Sequence, residues 1–290
     1  MTHGPSRAPS YPPSGYTPAP ARSRLLPGAL SVALLCGLLA ATTAGAATTA
    51  GAAATATAAT APSLARSAAT SNARPAVVES RVIGRSVMDR PIRAWRLGDP
   101  AAPVKAVAFA TMHGDEKAPA AILSSLRDGA PITGIDLWVL TRTNPDGFLR
   151  NTRKNARGVD LNRNFPHEWA PLDGQVESGP RPASEPETRA LMRFLTRVDP
   201  RFVVSFHQPL NGVDVYGRKK RWFARRLADE LRLPRKEFAC GTTCHGTFTQ
   251  WFNHHFDGVA VTVEYGPDPT WERMNLQAPR QLLRALGGSR

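Results

Sequence analysis

The sequence predicts an α/β domain built on a largely parallel or mixed sheet. Three observations carry this. Short apolar runs rich in β-branched and aromatic residues recur along the chain, helix-like segments separate them, and polar stretches with Gly or Pro close most of them. Taken in order, residues 81–87 and 91–97 predict a hairpin turning at Met88-Asp89-Arg90. Residues 104–111 (VKAVAFAT) predict a buried strand, and 118–126 a helix ended by Gly129. Residues 135–141 (IDLWVLT) predict the next buried strand. Residues 144–173, full of Asn, Arg, Gly and Pro, read as a long loop, and loops of that length inside a domain tend to be functional. Ser184 with Glu187 forms a capping box for a helix that runs to about Arg197 and stops before Pro200. A buried strand (202–206, FVVSF), a helix (221–231), a strand (258–263) and a closing helix (277–286) complete the chain. No internal repeat is visible.

Charge is unevenly distributed. The 290 residues carry a formal net charge of +14. Residues 1–74 contain five Arg, no Lys and no acid, which leaves 32 basic residues against 23 acidic ones in residues 75–290. A basic balance favours anionic surroundings: nucleic acid, acidic lipid or an anionic cell wall. No Lys/Arg block is long enough for a nucleic-acid arm. Arg218-Lys219-Lys220-Arg221 is short, opens a predicted helix and reads as its solvated face, so nucleic acid is not an expected partner.

Residues 1–46 read as an export signal. A basic Pro/Ser-rich start ends in Arg22 and Arg24, an uncharged apolar run follows over 25–41, and Ala44-Gly45-Ala46 supplies an A-x-A cleavage pattern. The expected location is secreted or wall-associated. An uncleaved N-terminal anchor is the alternative and the one membrane connection expected. Leu35 before Cys36 argues against lipid attachment, which usually follows a small residue. Residues 47–74, nearly all Ala and Thr, have nothing to build a core with and read as a flexible tether. An isolated Ala-rich helix is weakened there by the β-branched Thr. Residues 75–290 read as the folded domain, large enough to bury most of its apolar surface. Once the signal is cut, Cys240 and Cys244 are the remaining cysteines; an even pair in an oxidising compartment reads as a disulfide, with two buried thiols as the alternative. A metal site on this pair would need more ligands than the neighbouring His245. The oligomeric state stays open.

Three segments share one pattern, a buried strand followed at once by polar residues, and ligands of open α/β sheets gather at that edge. The first carries His113 and Glu116, three apart, with Gly114 between them to let the backbone bend. The second carries His207 after FVVSF, and the third Glu264 at the end of residues 261–263 (VTV). Alone, His-x-x-Glu is a weak signal, a His leaving a strand is commonly a packed core residue, and a strand-end Glu is commonly an ion-pair partner. Together they offer two imidazoles and a carboxylate, a set zinc takes while keeping a fourth position open, beside a carboxylate fit to act as general base. Between them, residues 153–166 (RKNARGVDLNRNFP) hold Arg forks of the kind that grip carboxylates and stabilise oxyanions, or an Arg-rich solvated loop.

HGDE (113–116), NPDG (144–147), GVDLNRNFP (158–166), SEPET (184–188), SFH (205–207) and VTVEYG (261–266) occur in the order found in zinc metallocarboxypeptidases, and the chain resembles that family across most of its folded part. The resemblance implies a mixed sheet of about eight strands flanked by helices. It implies one zinc ion held by His113, Glu116 and His207, with Glu264 as base and Asp160 hydrogen-bonded to His113 to fix its ring. Arg153 would polarise the scissile carbonyl, and Asn162 and Arg163 would bind the substrate's terminal carboxylate. Two departures matter. The family's substrate-covering Tyr falls at Thr242, and its side-chain pocket residue falls near Thr249, which argues against a specialist for basic residues. The small domain, NARGVDLNRNFP and the Cys-x-x-x-Cys before Gly246-Thr247 resemble the bacterial murein peptide amidase branch, which cuts the γ-D-glutamyl–diaminopimelate bond of wall peptides. The expected partner is therefore a peptide derived from peptidoglycan. The alternatives are a general carboxypeptidase, an amino-acid deacylase, and a non-catalytic wall-binding module on the same fold.

Overall fold

The computed structural model describes residues 76–290 apart from Ala239; the predicted signal (1–46) and tether (47–74) lie outside the described residues. Strands β1 (Val77–Arg85) and β2 (Pro91–Gly98) form the expected antiparallel hairpin. Its turn is closed by Ser86 N donating to Arg90 O at 2.9 Å, with Asp89 at φ 58°. There follow β3 (Lys105–Ala110), α1 (Ala120–Asp128), β4 (Asp136–Leu140), α2 (Pro145–Arg150), α3 (Pro186–Val198), β5 (Phe202–His207), β6 (Gly212–Asp214), α4 (Arg221–Leu231), β7 (Arg235–Lys236), α5 (Phe248–His255), β8 (Val259–Glu264) and α6 (Ala278–Leu286). None of the described helices is long and apolar enough to cross a membrane.

The strands build one mixed eight-stranded sheet in the order β1-β2-β4-β3-β5-β8-β6-β7. Its centre, β4, β3, β5 and β8, is parallel, and the antiparallel pairs lie toward the edges. Parallel strands covered on both faces need apolar side chains on both, which is why these four read as continuous hydrophobic runs. Alternate residues divide between two cores. Ala106, Ala108, Leu137, Val204 and Val261 pack under α1, α4 and α6. Val107, Phe109, Trp138, Val203 and Ala260 pack under α3 and α5 on the other face. From β3 the chain crosses one way to β4 and then returns past β3 to β5, so the order reverses beside β3, where an open α/β sheet leaves a crevice at the strand carboxyl ends.

Several sequence expectations change. The loop over 144–173 contains α2: Asn144 Oδ1 accepts from Gly147 N at 2.9 Å and Pro145 occupies the first turn, so cap and Pro start a short helix despite the turn-like composition. Ser184 and Glu187 do not form a capping box. The cap position is Glu185, Ser184 Oγ donates to Glu185 Oε1 at 2.7 Å, and the Glu187 carboxylate accepts from Val87 N and Asn155 Nδ2 instead. Arg218–Arg221 is not simply a solvated face, because Lys220 is buried and paired with Asp214 at 2.5 Å. Strands β6 and β7, of three and two residues, are too short for any periodicity to announce them.

Candidate metal and hydrolytic site

The three polar strand ends converge at the crevice. After β3 the backbone turns through Thr111 at φ 56° and presents His113 and Glu116. Gly114 permits this because the backbone of α2 lies against it: a Cβ there would meet Gly147 C at 2.0 Å. Gly114 N donates to Arg153 O at 3.2 Å, and Asn144 Nδ2 reaches Met112 O and Arg153 O. The HGDE and NPDG segments are thus one packed unit, and that unit carries Arg153 to the site. His207 ends β5 and Glu264 ends β8, where the two residues are register partners.

His113 Nδ1 lies 2.7 Å from Glu116 Oε1, His207 Nδ1 lies 2.7 Å from Glu116 Oε2, and the two Nδ1 atoms are 3.2 Å apart. All three side chains are buried. His113 Nε2 donates to Asp160 Oδ1 at 3.0 Å, so the lone pair of a neutral ring falls on Nδ1. His207 Nε2 lies 2.9 Å from Ser205 Oγ, a hydroxyl that can accept from it and leave its Nδ1 lone pair facing the same way. Two lone-pair nitrogens and a carboxylate therefore face a common point, acceptor against acceptor, with donor atoms within 4.8 Å of one another. That arrangement fits a cation of zinc's ligand preference, with the far ring nitrogens held as metal-bound imidazoles usually require.

The charges agree with this fit. Burial opposes charge on the His113 ring, yet Glu116 and Asp160 outweigh it and raise its pKa to about 9, the mark of a pocket short of positive charge. Burial likewise opposes ionisation of Glu116, but the two imidazoles hold it well below the usual carboxylate range. Asp160 is held low against burial by His113, Arg153 and Arg163. Glu264 moves the other way: burial and the Glu116 charge push it up, against the pull of His207.

Arg153 donates from Nε and Nη2 to Asp160 Oδ2 at 3.0 and 2.8 Å, and its Nη1 stands 3.6 Å from Glu116 Oε1, so it borders the site with its side chain 30% exposed. Asp160 Oδ1 also accepts from Asn162 N, starting the turn Leu161–Arg163. Asn162 Oδ1 accepts from Phe248 N at 2.9 Å, fastening this turn to the start of α5, where Thr249 sits half-buried in the first turn. Arg163 is buried, has no salt-bridge carboxylate among the described residues although the Asp160 charge attracts it, leaves Nε without a hydrogen bond, and is lowered in pKa chiefly by burial. Phe165 N donates to Gly246 O at 2.9 Å, and Gly246, at φ 60°, allows Arg163 O to approach where a Cβ would stand 2.4 Å away. Cys240 and Cys244 are joined across the turn Gly241–Thr243, with Cα atoms 5.1 Å apart, and Thr242 is exposed in that turn. His245 donates from Nδ1 to Glu168 O.

Sequence reasoning missed Ser205, which lies on the same strand face as His207 two residues earlier; a lone hydroxyl in FVVSFH was the available signal. It also missed Glu185 and Glu187, whose buried carboxylates hold Asn155 in the 153–166 loop.

A family model described as zinc carboxypeptidase matches residues 65–211. Murein peptide amidase A of Escherichia coli K12 is 33% identical over 204 residues, covering 63% of this chain and 80% of that protein. Its namesake from Vibrio campbellii is 34% identical over 173 residues, covering 55% and 68%. The crystal structure of murein-tripeptide amidase MpaA from Escherichia coli O157 superposes with a TM-score of 0.61 at 29% identity, over 71% of this chain and 91% of that one. Carboxypeptidase A from Helicoverpa armigera, at 18% identity and a TM-score of 0.60 over 73% of this chain and 69% of that one, shares the fold.

Proposed function

The chain belongs to the zinc carboxypeptidase family and is a hydrolase, and from that premise we propose that it is an exported peptidase of cell-wall peptides, cutting the γ-D-glutamyl–diaminopimelate amide next to a free carboxylate. The observation that carries the reading is the meeting of His113, Glu116 and His207 beside Glu264, with the buried Arg163, which has no salt bridge among the described residues, close by.

In this reading His113, Glu116 and His207 hold zinc. When bound, the ion supplies Lewis-acid polarisation of the scissile carbonyl and of the attacking water. Glu264 takes the water's proton and passes it to the leaving amine; its raised affinity for protons suits both transfers. Arg153 stabilises the oxygen on which negative charge develops. Arg163, which has no salt-bridge carboxylate among the described residues, receives one from the substrate, together with the Asn162 amide. Thr249 borders the side-chain pocket. Export rests on the basic, apolar and small-residue order of residues 1–46, and is supported by the Cys240–Cys244 pair.

Defined wall tripeptides, incubated with and without chelator and followed by identification of the released amino acid, test the reading. We expect chelator-sensitive release of diaminopimelate. An intact tripeptide alongside cleaved C-terminal residues of ordinary peptides, or cleaved acyl-amino acids, would replace it with one of the alternatives.

A further inference from the structure

A second group of metal-binding side chains lies away from the first. His254 and His255 close α5, His167 follows the 158–166 segment, and one ring nitrogen from each lies within 4.8 Å of the others. The rings of His167 and His254 stack with centroids 4.0 Å apart, and that of His255 meets His254 at 4.9 Å and His167 at 5.9 Å.

Further geometry makes this more than a crowd of surface histidines. His255 Nδ1 donates to Trp251 O at 2.9 Å, which places the lone pair of its neutral ring on Nε2. The cluster sits at the carboxyl end of a helix, whose dipole favours a cation and where Lys219 Nζ already donates to Asn253 O and Phe256 O. A carboxylate stands ready as a further ligand: Glu168 Oε1 lies 3.7 Å from His167 Nε2. His254 and His255 are exposed, so their rings can rotate to share one ion.

The cluster also has something to join. The 160–166 segment runs along α5. Asn162 Oδ1 holds Phe248 N at the helix start, and Phe165 packs on Phe248 and Trp251 with centroids 5.4 Å away. His167 reaches the helix end. The seven steps from Phe248 to His255 span about 10 Å of helix, a distance the five residues from Asn162 to His167 readily cover.

We propose that His167, His254 and His255 form a second metal site, which takes one divalent first-row transition ion of imidazole preference, such as zinc, nickel or copper, and clamps the segment bearing Asn162 and Arg163 to α5.

The test uses the full chain and metal counting. Zinc at micromolar concentration in equilibrium dialysis is expected to give two ions per chain for the wild type, one for His207→Ala, one for His254→Ala/His255→Ala, and none for all three changes together. In the His207→Ala background, added zinc raises Tm, and the rise disappears when His254 and His255 are also removed. Hydrolysis persists in His254→Ala/His255→Ala. Because His255 also holds Trp251 O, His254→Ala alone serves as a second variant; His254 makes no hydrogen bond among the described residues. A His207→Ala protein that binds zinc only at millimolar concentration, an adventitious ion only, overturns the proposal. So does a second ion that survives loss of His254 and His255. Failure of the catalytic reading would show instead as His207→Ala keeping both ions.

Discussion

His207 and Glu264 are register partners on adjacent parallel strands, each the last residue of its strand. Parallel pairing places side chains of paired residues side by side on one face of a sheet, so a ligand on β5 and an acid on β8 share the crevice by construction. Tyr265 N donating to His207 O at 2.9 Å, and Leu210 N to Glu264 Oε2 at 3.2 Å, lock the two strand ends together. The metal cage and the proton acceptor are therefore held by separate strands, and can be disabled separately.

Glu264→Gln removes the acceptor and keeps the cage. The expected result is a fall in kcat of about 10³-fold with one zinc retained at the His113 cage. Metal analysis beside kcat decides; unchanged turnover would remove Glu264 as base.

Asp160→Ala removes the acceptor for His113 Nε2 and the partner of Arg153 at one stroke. Zinc affinity should drop about 10- to 100-fold, read by competition with a chelator of known affinity. His207→Ala should lose the ion of this cage outright.

Stripping the ion with a chelator should abolish hydrolysis and lower Tm, because His113 and His207 then bring Nδ1 atoms to 3.2 Å with only Glu116 between them. Restoring zinc should recover both, as expected for an ion that binds the folded state alone. A calorimetric scan with and without metal measures the shift.

Arg163→Met separates stability from function. A buried guanidinium without a salt bridge carries a penalty that the Asp160 charge offsets only in part, so replacing it by an apolar chain of similar length should change stability by no more than about 1 kcal/mol. The same change should raise KM for substrates with a free carboxylate while leaving those without one unaffected. Denaturant midpoints and KM values on a carboxylate and its amide check the two halves.

Gly114→Ala forces a methyl group into the α2 backbone at Gly147. Neither side is a flexible chain end, so one segment must move, at a cost of about 3 kcal/mol or the loss of the site geometry. Thermal unfolding and zinc content report which.

By itself, the sequence determined the element types and the chemistry they carry. Apolar runs such as VKAVAFAT and FVVSF are long enough to specify buried strands, and His113, Glu116, His207 and Glu264 stand out because, weak singly, they follow three such runs in the same pattern. The tertiary structure alone decided which polar residues hold the site rather than form it. Asn155 donates to the Glu185 and Glu187 carboxylates and so ties down the 153–166 loop, Ser205 lies against His207, and Gly114 exists for the sake of Gly147. His167 met His254 and His255 only on folding. The physical reason is the range of the forces involved. Periodicity and capping act between residues a few positions apart and leave a local trace, whereas a hydrogen bond or a shared cation between distant segments depends on where the sheet brings the chain back.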